Sequence, residues 1–164
     1  MSDVTALLER YRRAPELLAA LLTGVYGEEE DFLTAPGKWS IRQIVAHLAD
    51  TELVAAHRFR QVIAEENPTL VAFNQEAWAS RLDYARRKPK QSLETFRRLR
   101  AENYDLLKEL PADAFARAGN HSERGRLTLG QMVEGFANHA ESHARQVQTI
   151  REEYQKVKKA GAKT

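Results

Sequence analysis

The chain contains no cysteine. Disulfides and thiolate metal ligands are therefore excluded, and any metal site must be built from His, Asp or Glu. No stretch approaches the roughly 18 consecutive apolar residues that a membrane-spanning helix requires, so no membrane association is expected. The opening "MSDVTALLERYRRAPELL" has acids and arginines where a secretory signal needs an apolar core, which makes a cytoplasmic protein the expectation. No alternation of apolar and polar residues is long enough to build a sheet. Nucleic-acid binding would call for a continuous basic stripe with exposed aromatics, and none is present. Lys and Arg total 25 against 23 Asp and Glu, so the basic excess is only two. It sits in Arg12 and Arg13, "RRKPK" (86–90), "RRLR" (97–100) and the tail from Lys156, mixed with acids at helical spacing. These read as solvated helix faces, and no nucleic-acid partner is expected.

What remains is an ordinary globular composition, 43% apolar and 29% charged over 164 residues, enough for one domain with a sizeable core. The periodicity predicts four main helices. The first covers roughly 4–23, with Leu7, Leu8, Tyr11, Leu17, Leu18, Leu21 and Leu22 on one face and a break near Ala14 imposed by Pro15. The second opens at Ser40, where "SIRQ" fits a capping box, and stops near Asn67-Pro68. Residues 69–90 suggest a short helix over one end of the core. Ser92 is the expected cap of the third helix, which Pro111 stops. "TLGQ" repeats the capping box at Thr128 and opens the last helix, 129–155. The domain is expected to span 1–155, followed by a flexible basic tail, 156–164. The fold class is all-α, a single four-helix bundle.

Two histidines, His139 and His143, lie four apart in the last helix and share the face of Met132, Phe136, Val147 and Ile150. Each could be a core histidine satisfied by a local hydrogen bond. Two so close would need several partners at once, whereas one divalent cation satisfies both. A third, His47, sits on the edge of the second helix's apolar stripe with Thr51, Val54 and Arg58, where a neighbouring helix would face it. Three imidazoles on one cation leave a position open, which is a catalytic rather than a structural pattern. Whether His47 meets the other two is beyond periodicity.

These same segments carry a resemblance. "GKWSIRQIVAHLADTE" (37–52) resembles the signature of the DinB-like superfamily, a Trp-Ser pair before a helix with His-Leu-x-Asp. "NHAESHARQV" (138–147) is similar to the H-x-x-x-H of its last helix, and "EENPTLVAFNQEAW" (65–78) resembles the YfiT-like branch, which includes metal-dependent hydrolases and bacillithiol transferases. The resemblance covers about 15 to 150. It implies a DinB-type four-helix bundle, a divalent metal (zinc or nickel) held by His47, His139 and His143, and a homodimer. Surplus apolar residues such as Leu21, Leu22 and Trp78 would suit pairing.

Other candidates carry weaker readings. Asp50, three after His47, could orient a ring or act on a bound water as a catalytic group, or be a surface acid paired with Arg or Lys. His57 points to a different face, for solvent or packing. His121 could edge the pocket and is not expected to be a ligand. Glu141 points away from the metal face. Trp39 is expected to anchor the second helix, and Arg58 to form a surface salt bridge or attract an anionic substrate. An open three-histidine cation lowers the pKa of a bound thiol or water and polarises an electrophile. The first expectation is a transferase that joins a low-molecular-weight thiol such as bacillithiol, as co-substrate, to an electrophilic small molecule in detoxification or stress response. The alternatives are a metal-dependent hydrolase and a non-catalytic stress-induced metal-binding protein.

Overall fold

The computed structural model describes residues 2–162. Met1 and residues 163–164, the last of the expected tail, lie outside the described residues. Four long helices, α1 (Ser2–Leu22), α3 (Ile41–Ala64), α5 (Pro89–Lys108) and α6 (Leu129–Gly161), make the bundle, with short α2 (Glu28–Asp31) and α4 (Gln75–Arg81) between them. Both α3 and α1 pack against α5 and α6, so the four close a ring in the order α1, α5, α3, α6.

The two helices that carry the histidine triplet start where their caps dictate. Ser40 Oγ accepts from the Gln43 amide while Gln43 Oε1 accepts from the Ser40 amide at 2.9 Å. Thr128 and Gln131 repeat the exchange at 3.1 and 2.9 Å. Each box satisfies two of the orphan amides that a helix start leaves open.

Four expectations need correction. The break at Pro15 does not occur: α1 runs through it. A proline frees the carbonyl four residues back, here that of Tyr11, and Arg100 Nη1 donates to this oxygen at 2.9 Å. Ser92 does not cap α5, which begins a turn earlier with Pro89 after Lys88, because proline suits a first helical position whose amide needs no partner. The last helix continues past 155 to Gly161, held in part by Lys158 on Glu28 at 3.1 Å. A sheet does form, from β1 (Thr69–Leu70), β2 (Ala118–His121) and β3 (Gly125–Thr128), with β1 parallel to β2 and β2 antiparallel to β3. Strands of two and four residues are too short for an alternating pattern to stand out. At Gly119 the strands approach so closely that a Cβ would lie 2.9 Å from both the Pro68 oxygen and Leu70 Cγ.

The core has two apolar halves. One gathers Tyr11, Phe59, Leu70, Leu107, Leu129 and Val133; the other gathers Leu18, Ile44, Leu48, Phe96, Val147 and Ile150. Leu21 and Leu22 pack against the second half, and Trp78 packs beside Tyr84. Between the halves lies a buried polar layer. Glu52 accepts from Arg100 Nη2 at 2.6 Å, Arg100 Nε at 2.9 Å, Asn103 Nδ2 at 2.9 Å and the Tyr11 hydroxyl. Arg100 is also stacked on Tyr11 and Phe96, its guanidinium carbon 3.9 and 4.7 Å from the ring centres. The "RRLR" cluster is thus a solvated face except at Arg100, which is 2% exposed.

Removing one partner from a buried, fully bonded ion pair leaves the other uncompensated, so Arg100→Leu should cost about 3–5 kcal/mol in urea unfolding. Pro15→Ala should recover more stability in the Arg100→Leu background than in the parent. Its new amide there meets a Tyr11 carbonyl that has lost its donor, and additive effects in the double-mutant cycle would contradict this.

Candidate metal centre

α6 starts beside the end of α3: Arg117, whose oxygen accepts from the Leu129 amide, also donates Nε to the Val62 oxygen at 2.8 Å. The two helices therefore run antiparallel, and His47, early in α3, faces the middle of α6. His47 Nε2 lies 3.0 Å from His139 Nε2, which lies 3.1 Å from His143 Nε2. Among the described residues these three form the one group of His, Asp or Glu whose ligand atoms all fall within 4.8 Å of one another. His47 is buried, while His139 and His143 are half-buried at the seam.

Nearby side chains set the chemistry of the rings. His143 Nδ1 donates to Gln146 Oε1 at 2.9 Å, which leaves its Nε2 as a lone pair facing the cluster. Burial, then the charge of His143, lowers the His47 pKa to about 3. Burial, then His143, His47 and Arg100, lowers that of His139 to about 3. Burial also lowers His143, partly offset by Gln146. All three rings are neutral at pH 7. Three neutral rings cannot bridge both short contacts with linear hydrogen bonds, because His139 Nε2 is either a donor or an acceptor. A cation accepts all three lone pairs. Bonds of about 2.0–2.1 Å from imidazole nitrogens to zinc imply nitrogens roughly 3–3.4 Å apart, so the donor set fits a divalent cation.

Aromatic walls complete the site. The Trp39 ring lies 4.8 Å from the His47 ring and stacks parallel to His143 at 6.4 Å. Trp39 therefore does more than anchor α3. Tyr84, from a short 3-10 turn at 84–86, flanks His47 at 6.4 Å. His47 Nδ1 and the Tyr84 hydroxyl are both buried without a hydrogen-bond partner. Burial, followed by the Asp50 charge, keeps the Tyr84 hydroxyl pKa above its ordinary value.

The remaining candidates fall elsewhere. Asp50 is buried and pairs with Arg87 Nη2 at 3.0 Å; no hydrogen bond joins it to any of the three rings. Glu141 accepts from Arg10 at 2.8 and 3.1 Å on the face away from the cluster. His57 is exposed, and His121 is buried in β2. Arg58 makes no surface salt bridge; it is buried and donates to the Val71 oxygen at 2.8 Å. Tyr84, Arg87 and Gln146 escaped the sequence reading. Only Gln146, three residues after His143, carried a signal, since that spacing places it within reach of the ring.

Comparison with known proteins identifies the family and the fold. A family model described as the DinB superfamily matches residues 10–147. A protein of Oceanobacillus iheyensis named "Putative metal-dependent hydrolase" is 28% identical over 137 residues, covering 83% of this chain and 78% of its own. A Bacillus cereus protein of the same name is 28% identical over 115 residues, covering 70% of this chain and 66% of its own. The solved structure of YfiT from Bacillus subtilis, described as "a probable metal-dependent hydrolase with an unusual four-helix bundle topology", superposes with a TM-score of 0.86 at 22% identity, over 92% of this chain and 87% of that one.

Protein purified without an affinity tag should carry a divalent cation by elemental analysis, and His47→Ala should abolish it; unchanged stoichiometry would remove His47 from the centre. Gln146→Leu frees the His143 ring and should weaken binding by about 10–100-fold in a chelator competition.

Proposed function

Because the chain belongs to the DinB superfamily, we propose that it is a metal-dependent enzyme in which His47, His139 and His143 hold a zinc or nickel ion, and that it transfers a low-molecular-weight thiol such as bacillithiol to an electrophilic small molecule. The observation that carries the reading is the convergence of three neutral imidazole nitrogens with no carboxylate among them. A divalent cation held there by His47, His139 and His143 would lower the pKa of a thiol or water and polarise an electrophile. Asp50, three residues after His47, is engaged by Arg87 and so is not free to act as a base. The chain lacks a thiol of its own, so the sulfur must come from a co-substrate.

The protein's own groups shape the site. Trp39 and Tyr84 exclude water from the His47 side, and burial keeps the Tyr84 hydroxyl protonated, able to donate to a developing negative charge. Arg87 Nη2 donates to the Asp50 carboxylate beside it at 3.0 Å. Hydrolysis is the second reading, favoured by the names of the relatives.

Zinc- or nickel-loaded protein should consume monochlorobimane with bacillithiol faster than bacillithiol alone, and His143→Ala should return the rate to background. Turnover of an ester or amide panel without thiol would instead support hydrolysis. Activity in neither assay, with metal bound, would overturn both enzymatic readings.

A further inference from the structure

A cation buried away from solvent is costly unless something of opposite charge meets it. Arg58 is only 9% exposed, yet none of the ion pairs among the described residues includes it. Its one hydrogen bond there is from Nη2 to the Val71 oxygen, which leaves the Nε and Nη1 donors without a protein acceptor. The charged side chain that reaches it, Arg124, adds positive charge rather than cancelling it. Burial and then Arg124 pull the Arg58 pKa below its ordinary value. Burial, Arg58 and Arg124 do the same to His121, against a smaller opposing effect of Glu123. The Glu123 amide donates to His121 Nδ1 at 3.2 Å, so the neutral ring carries its proton on Nε2 and is a second donor.

Arg58 also lines a groove of about 460 Å³, whose walls include Leu53 and Val54 of α3 and Val71, Phe73 and Trp78 of the segment lying across it. Phe73 and Trp78 lean together, ring centres 4.5 Å apart, while Leu53 and Val71 are exposed. The outer wall is tied down: Leu70 accepts from the Ser122 amide at 3.0 Å, and Ser122 Oγ accepts from the Ala72 amide at 2.9 Å. An apolar trough thus ends on a largely buried guanidinium whose unpartnered donors are still reachable, and the second hydrogen of Nη2, paired with that of Nε or Nη1, offers a carboxylate two parallel hydrogen bonds.

We propose that this groove, between α3 and residues 69–78, binds a small organic carboxylate with an apolar body, its head on Arg58. The site lies eleven residues beyond His47 on the same face of α3, roughly 16 Å along the helix. It stands whether or not the histidines hold a cation.

Calorimetric titration of the full chain with 4-phenylbutyrate and its neutral isostere 4-phenylbutanamide tests this. The acid should bind one site per chain, at least ten-fold tighter than the amide. Arg58→Gln should erase that preference and leave the metal content unchanged, and Arg58→Lys should restore part of it. Phe73→Ser, on the partly open wall, should weaken acid and amide alike and keeps the test decisive if Arg58→Gln does not fold. In His143→Ala protein the acid should bind as in the parent, which separates this site from the metal centre. Binding of neither compound, equal affinity for both, or a preference that survives Arg58→Gln would overturn the proposal.

Discussion

The ion pair between Glu52 and Arg100 is the constraint on which this bundle turns. Two apolar halves could slide or rotate past each other with little penalty if nothing but side-chain volume set their register. A carboxylate that accepts from Arg100, Asn103 and Tyr11 tolerates no such freedom, because each misplaced donor would be stranded in a dry interior. The pair joins α3 to α5, and the third guanidinium nitrogen reaches the Tyr11 carbonyl of α1. Three of the four helices are thereby locked at one level. The same contact explains how α1 tolerates a proline in its interior: the orphaned carbonyl is used by a residue that needs an acceptor.

The fourth helix meets this level through His139, which lies between Ala137 of one apolar half and Ala140 of the other. The Arg100 charge reaches it, one of the influences that keep its ring neutral. The histidine triplet is therefore not an addition to the surface of a finished bundle. It is the outer edge of the same polar layer, where α3 and α6 meet and where His139 and His143 are half-buried. Two capping boxes then fix where each histidine-bearing helix begins, so the opposition of His47 to His139 follows from helix starts as well as from packing.

Much of this was legible in the residues alone. The capping boxes at Ser40 and Thr128 are local chemistry, encoded within four residues, and they form as their sequences require. The triplet was legible because three histidines at those positions also resemble a known signature. Features that depend on distant partners were not. Arg100 looked like its solvated neighbours Arg97 and Arg98, since nothing local distinguishes an arginine that will meet a buried glutamate 48 positions away. Pro15 looked like a breaker for the same reason. Asp50 and Tyr84 gained their roles from Arg87 and from the cluster's position, neither of which periodicity contains. The small sheet went unseen because its strands are shorter than the pattern that would announce them.

Gly119 touches neither the histidines nor the groove lined by Arg58. Its bare α-carbon lets β2 draw β1 close, and that closeness places Val71 and Phe73 over α3. A methyl group there would have to displace the Leu70 side chain and also the Pro68 carbonyl, part of the main chain itself, so a change of rotamer alone would not relieve it. Selection for a well-shaped trough would thus be felt as intolerance to change at a hydrogen atom outside it.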